Sequence, residues 1–515
     1  MTMVQILLKP EFALTDNGIA YVGSSKLLRT YKTPLNSAYK AIIGEIKEGN
    51  GRYRPLYYLE ITTQRLFFDT NPLGYWLWLY VKISILIVSI FLCLFLITNK
   101  AFFSFINSLI LLTFPSYIAN VNRYETQETF QAAIFFAWLS LILYWLYKKK
   151  KSQTSTELFF SLISIMLLFC LFFYKETTLA FLPFFITIGI YLALISKKKL
   201  LGSSIIVSSI FYTLLILIIK PTPSIRKDDL YVAGFGFSNY FGNLLHKISQ
   251  LFTDNFLVYS LFCFLIIILS CNVFYIIKYR KFNKFRSLEF FLPIALVLAI
   301  FPNIAFLGLW KANAQPKYDL IFEALMILFF SFSALAYFKN THFHYHKLEI
   351  SNIFFLPFFK KNQSYAVLTF FSVFLIFIHQ GWRNGTKLWQ DYVNIHFDRD
   401  MITFLSTSAP HNSSIYQNFA SWEHNVEMEI QIKEFYNRKD LSFATFMGKD
   451  WYPYGGASYQ NEVKLNPQNP KFTYILIDTK NRFSRSIDNR VSLSPYYELV
   501  FQNPNWEVYK VKQGL

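Results

Sequence analysis

Charge is scarce in this sequence: only 16% of its 515 residues are Asp, Glu, Lys or Arg, while 54% are apolar and 20% aromatic. That balance, with a mean hydropathy of +0.30, excludes a disordered chain, a collagen-like fibre and an ordinary cytosolic globule. Cysteine is scarcer still. Cys93, Cys170, Cys263 and Cys271 all fall inside long apolar runs, so they supply neither a disulfide framework nor a paired-cysteine zinc site. No internal repeat is present, and in particular none of the roughly 34-residue helical kind. Acidic charge is outnumbered, with 31 Asp and Glu against 50 Lys and Arg and a formal net charge of +19. An excess of that size can mark a nucleic-acid binder, so the placement of the cations decides.

What the sequence has in abundance is apolar runs of roughly 18 residues or more, the length that crosses a bilayer core as helix. They lie at residues 73–97, 101–119, 129–147, 157–174, 178–195, 201–219, 255–277, 288–309, 319–338 and 364–380. Basic clusters sit in alternate connections: Lys148 to Lys151, Lys197 to Lys199, the group from Lys278 to Arg286, and Lys339 with Lys347, Lys360 and Lys361. Positive residues in short loops stay on the cytoplasmic side, which places residues 120–127, 175–177, 220–254, 310–318 and everything after 382 outside. The cations are therefore topological signals, and a nucleic-acid partner is excluded.

The same alternation puts residues 1–72 outside, although they carry several Lys and Arg and begin with no recognisable signal peptide. One further helix upstream is expected, with the chain as given beginning late. The fold class expected is an all-α polytopic membrane domain of about ten helices with a small C-terminal α/β extracytoplasmic domain. Three parts follow: an outer N-terminal segment over 1–72 with amphipathic helices, a transmembrane domain over 73–382, and the α/β domain over 383–515. In that last part MITFLSTSAP reads as a helix end, and SSIYQNF, FTYILID, YELVF and WEVYKV read as strands, the last two joined by the turn signal QNPN. Both the N-terminal segment and the C-terminal domain are expected on the extracytoplasmic side of the membrane.

In such a chain the informative residues are polar groups at the outer helix ends. Three clusters stand there: Glu11, Asp16 and Asn17; Arg52, Arg54 and Pro55; and Lys175, Glu176 and Pro183. Each also fits a plain structural role, Asp16 as a turn residue, the two arginines as interfacial anchors, and Lys175 with Glu176 as a snorkelling pair. Other features are weaker. Asp228 and Asp229 stand beside Arg226 and Lys227 as a solvated group, and His342, His344 and His346 lack a carboxylate or cysteine partner. Trp422, Trp451, Tyr452 and Tyr454 fit either stacking on a ligand ring or packing of a domain. Lys82 and Glu323 lie inside expected helices, each at a cost of roughly 2.5 to 3.5 kcal/mol at mid-bilayer, which snorkelling near helix ends reduces.

The clusters, in this order, resemble the GT-C glycosyltransferases, especially protein O-mannosyltransferase-like enzymes and bacterial relatives of the tetratricopeptide transmembrane transferases. Phe12 to Asn17 is similar to that family's first outer loop, YRPL at 53–56 and LFFDTNPLGY at 66–75 to its next two stretches, and KETTLAFLP at 175–183 to its Lys-Glu motif; Pro302, Asn303, Lys317 and Tyr318 echo a late pattern. The chain departs from the pattern at Asn17, where a second acid is usual, at Trp76 and at Lys317, and it lacks the repeats. The resemblance implies transfer of a sugar from a polyprenyl-phosphate donor to a lipid, glycan or protein acceptor on the non-cytoplasmic face of the bilayer, and a bacterial inner (plasma) membrane as the location. Asp16 would act as catalytic base, with Arg54, Lys175, Arg52 and Lys317 binding the donor phosphate and Glu176, Glu323 and Tyr318 supporting them. The chemistry suits these types, since a carboxylate can take a hydroxyl proton and Arg can grip two phosphate oxygens. A divalent metal ion stays open as a cofactor, although Asn17 leaves a two-carboxylate metal site incomplete. A lipid or polysaccharide transporter or flippase, and a non-catalytic scaffold of the same family, are the competing expectations.

Overall fold

Proline starts most of the early helices. The computed structural model describes residues 27–28, 30–47, 53–69, 71–121, 126–147, 154–219, 237–278, 288–307, 316–340, 363–418, 427–445, 471–479, 493 and 495–512. Helices α1 (Pro34–Lys47), α2 (Pro55–Phe68) and α3 (Pro72–Thr98) each open on Pro, whose fixed φ suits the first helical position and whose missing N–H has no partner there to lose. Asn71 caps α3 by accepting from the Leu73 amide at 3.0 Å, and Asn99 closes it with φ 52 while donating its N–H to the Phe95 carbonyl. At about 1.5 Å per residue α3 outruns a hydrocarbon core of roughly 30 Å.

The run expected as one span over 101–119 is broken. It forms α4 (Ala101–Ile110), a 3-10 turn over Leu111–Thr113 and α5 (Pro115–Val121), with a 72° bend between the halves. Pro115 is the cause, because its ring excludes helical geometry at the residue before it and Phe114 is extended at φ −81, ψ 142.

Next come α6 (Gln127–Tyr147), α7 (Thr154–Tyr174), a 3-10 turn over Glu176–Phe181, α8 (Leu182–Ile190), a π turn over Tyr191–Ile195 and α9 (Lys199–Ile219). Among the described residues five helical segments are long and apolar enough to cross a membrane, and the bent pair makes a sixth. Val207, Met166, Leu194 and Ile218 lie open on the surface, an arrangement that hydrocarbon favours and water does not. The protein is thus a multi-pass membrane protein. α8 and α9 touch closely: a methyl group on Gly202 would stand 2.5 Å from the Gly189 carbonyl oxygen. Helix α10 (Phe237–Lys278) makes the later part of the stretch expected as a loop, from Phe237 onward, helical and continuous with the membrane run. It carries no proline to stop it. α11 (Leu288–Leu307), containing Pro293 and Pro302, and α12 (Leu320–Asn340) follow, and α13 (Gln363–Ser408) runs continuously past residue 382.

The small C-terminal sheet has strands β1 (Ser414–Asn418), β2 (Ser442–Thr445), β3 (Tyr474–Asp478), β4 (Tyr497–Gln502) and β5 (Trp506–Val511), in the order β2-β1-β3-β5-β4. β1 pairs parallel with β2 and β3, whereas β5 is antiparallel to β3 and β4. All of β3 is buried because both faces are covered. Leu476 and Trp506 pack with Met401 and Leu405 of α13, and Ile475 and Ile477 pack with Tyr416 and Tyr497 on the other side. Trp506 Nε1 donates to Asp398 Oδ1 at 2.7 Å, fastening the sheet to α13. Arg438 donates to the carbonyls of Ser406 at 2.6 Å and Ala409 at 2.8 Å, a cation placed where the helix end is negative. Its hydrogen bonds to Asp440, both at 2.9 Å, hold that carboxyl well below the usual carboxylate range.

Candidate functional site

Arg54 sits at the N-cap of α2 because Pro55 begins that helix, so its side chain leaves the helix start. Its Nη2 and Nε reach the two oxygens of Glu176 at 2.5 and 2.6 Å, and Nη1 donates to Gln127 Oε1 at 2.6 Å. Lys175 occupies the extended link between α7 and the 3-10 turn, at φ −153, ψ 133. Its Nζ donates to Glu128 Oε1 and stands 5.2 Å from the centre of the Tyr318 ring. Two adjacent pairs therefore interlock, Gln127–Glu128 at the start of α6 with Lys175–Glu176 after α7. Glu128 also lies in the first turn of α6, where the helix dipole favours an anion.

The cluster is dry. Side-chain exposure is 11% for Arg54, 7% for Glu176 and 3% for Lys175. Buried charges persist only when paired and hydrogen-bonded, and here each cation has its own carboxylate. Glu176, expected to support the cations, binds Arg54, while its neighbour Lys175 turns to Glu128. The extended backbone at Lys175 explains the split, because successive side chains along extended chain point to opposite sides.

A third carboxylate adjoins this cluster. Glu60 of α2 accepts from Trp78 Nε1 at 2.6 Å, Gln64 Nε2 at 2.7 Å, Lys82 Nζ at 3.0 Å and the Tyr174 hydroxyl. Lys82 was expected to snorkel, and the structure corrects this: the side chain is 1% exposed and paired with Glu60 inside the bundle. Glu323 is likewise buried rather than snorkelling, held by the hydroxyls of Ser116 and, at 3.1 Å, Tyr259. In both cases a partner from another helix replaces water as the solvating group. Close to Glu323, Lys247 of α10 pairs with Asp319 at 2.6 Å, and Lys317 falls in the same 3-10 turn, Pro316–Asp319.

Of the residues expected to form the site, the structure brings together Arg54, Lys175, Glu176 and Tyr318, with Glu323 on the helix that follows Tyr318. Asp16, Arg52, Glu11 and Asn17 lie outside the described residues, as do Asp228, Asp229, the three histidines at 342–346, and Trp422, Trp451, Tyr452 and Tyr454. Among the described residues no group of three or more His, Cys, Asp or Glu is arranged to hold a metal ion. Glu60, Gln127, Glu128, Lys247 and Asp319 are polar partners that sequence reasoning missed. For Glu60 a signal existed: it falls on the same helical stripe as the buried Tyr57, Ile61 and Gln64, where a carboxylate needs a partner.

No family model matches the chain, and no curated protein matches it. Among solved structures it is similar to the crystal structure of ArnT from Cupriavidus metallidurans bound to undecaprenyl phosphate, at 12% identity and a TM-score of 0.46 over 90% of this chain and 88% of that one.

Proposed function

We propose that this protein is a glycosyltransferase that moves a sugar from a polyprenyl-phosphate donor to an acceptor on the extracytoplasmic face of a bacterial inner membrane. The observation that carries the proposal is the convergence of Arg54 and Lys175, distant in sequence, on one buried cluster at the helix ends that the positive-inside pattern assigns to the outer side. In the reaction the acceptor hydroxyl oxygen attacks the anomeric carbon and the bond from that carbon to the phosphate oxygen breaks, with inversion. Asp16 takes the hydroxyl proton, and the electron pair of the broken bond leaves on the lipid phosphate. Arg54 and Lys175 stabilise that charge where little water screens it, with Arg52 and Lys317 as further cations. Glu176 holds Arg54, Tyr318 faces Lys175, and Glu323 supports them from the first turn of the next helix. A lipid, glycan or protein hydroxyl would serve as acceptor.

The test uses the full chain in lipid nanodiscs, supplied with polyprenyl-phosphate sugars carrying a radiolabel in the sugar. Asp16→Asn is expected to lower transfer by about 100-fold or more, the usual contribution of a positioned base. Unchanged transfer in that variant removes Asp16 from the mechanism. Recovery of only intact donor, moved to the opposite leaflet of a vesicle, replaces the enzyme with a transporter.

A further inference from the structure

Three successive residues, Tyr174, Lys175 and Glu176, bind three different carboxylate or guanidinium partners. Tyr174 donates to Glu60, Lys175 donates to Glu128, and Glu176 accepts from Arg54. Glu60 and Arg54 both belong to the α2 end of this arrangement, six residues apart and so about 9 Å along the helix. α2 is therefore stitched to the end of α7 at two points that flank Lys175.

Glu60 is the deeper stitch, and it does more than hold Tyr174. Trp78 and Lys82, one turn apart on α3, donate to the same carboxylate oxygen as Gln64. One carboxylate thus ties α2 to α3 and α7. Its surroundings add edge-to-face contacts, Tyr57 against Tyr174 at 6.2 Å and Phe130 against Tyr174 at 5.1 Å, which leave Tyr174 little freedom to turn elsewhere. The ion pair with Lys82 is enclosed, with 1% and 9% of the two side chains exposed. Nothing in sugar transfer as proposed above uses this carboxylate, and burying a charge merely to join helices is costly compared with apolar packing. Its direction-specific bonds instead fix the rotation and height of α2, and hence where Arg54 stands relative to Lys175.

We propose that Glu60 is a positioning residue for the phosphate-binding pair, a role that presupposes the function proposed above. It acts through α2 and Tyr174 and touches no substrate. Shifting α2 by an ångström would separate Arg54 from Lys175 and weaken the grip on the phosphate without removing either cation.

The experiment compares wild type with Glu60→Gln, Glu60→Gln/Lys82→Gln, Tyr174→Phe and Arg54→Ala in nanodiscs. It measures undecaprenyl phosphate affinity, the KM and kcat of sugar transfer, and hydrogen exchange over residues 55–68. Glu60→Gln is expected to weaken the lipid phosphate affinity and raise the donor KM about tenfold, with kcat changed less than threefold and faster exchange in α2. The double variant, which removes the stranded Lys82 charge, should recover part of the affinity, and Tyr174→Phe should reproduce part of the loss. Arg54→Ala should lose affinity without faster exchange beyond the first turn of α2. Wild-type binding that Glu60→Gln leaves unchanged overturns the positioning role alone, as does a fall in kcat with KM constant. Absence of lipid phosphate binding in wild type overturns the proposed function and the positioning role together.

Discussion

Replacing Glu176 with Gln should push stability and lipid binding in opposite directions. The substitution keeps the side-chain shape but removes the charge that faces Arg54, where two hydrogen bonds of 2.5 and 2.6 Å form a bidentate pair. Breaking a buried ion pair by removing one partner costs roughly 3 to 5 kcal/mol, since the remaining charge stays buried without compensation. Arg54 retains 11% exposure and a bond to Gln127, which puts the expected loss at the low end, about 3 kcal/mol. Under the function proposed above, a phosphate entering the site no longer has to displace the Glu176 carboxylate. Relief of that competition should tighten undecaprenyl phosphate binding about tenfold, equivalent to about 1.4 kcal/mol. The assay is thermal unfolding of the full chain in nanodiscs, with and without undecaprenyl phosphate, paired with a binding titration. Arg54→Met/Glu176→Met should regain most of the stability, because no lone charge remains, while losing the lipid affinity. A Glu176→Gln protein as stable as wild type would show that the pair is hydrated. Weaker lipid binding in that variant would show that the carboxylate helps the phosphate rather than competing with it, and the reasoning fails in either case.

Other outcomes follow from particular contacts. Gly202→Ala places a methyl group 2.5 Å from the Gly189 oxygen and from the Ala193 nitrogen, both backbone atoms, so α8 and α9 must separate. A loss of about 1 to 3 kcal/mol is expected in the same unfolding measurement, and an unchanged midpoint would mean the helices are not in contact as described. Arg438→Ala removes the cation that caps the end of α13 and should raise hydrogen exchange in residues 403–409 more than in β4, with a cost of about 1 to 3 kcal/mol; uniform exchange across both segments argues against a local cap. Asp440 has a folded pKa below its unfolded value, chiefly through the hydrogen bonds from Arg438. Its contribution is therefore complete above the ordinary Asp value of about 3.9 and is lost as pH falls through the depressed one. Acidification from pH 5 towards 2 should loosen the link between α13 and β2 in wild type and have a smaller effect in Arg438→Ala, read by hydrogen exchange at low pH; equal sensitivity in both would assign the acid response to other groups.

How much of this was legible in advance depended on the kind of interaction. Membrane helices such as 73–97 and 129–147 are visible because length and apolarity are local properties, and α3 and α6 occupy nearly those bounds. The strands YILID and WEVYKV are visible for the same reason, while β2, with only four residues, offers too short a pattern. The break at Pro115 was also written locally, yet the apolar run around it masked the stop. Arg54 and Lys175 stood out through their places in short motifs. Their counter-charges did not, because Glu60 and Glu128 sit in helices whose neighbours are unknown until the bundle packs.

By itself, the sequence determined that the chain is a multi-pass membrane protein, where along it the cations cluster, and which ends of its helices carry polar residues, since each follows from hydropathy and charge along the chain. The tertiary structure alone decided that Arg54 is answered by Glu176, Lys175 by Glu128 and Lys82 by Glu60. A charge in a low-dielectric interior must find its partner across helices, and that partner is set by the height and rotation at which the helices pack rather than by distance along the sequence.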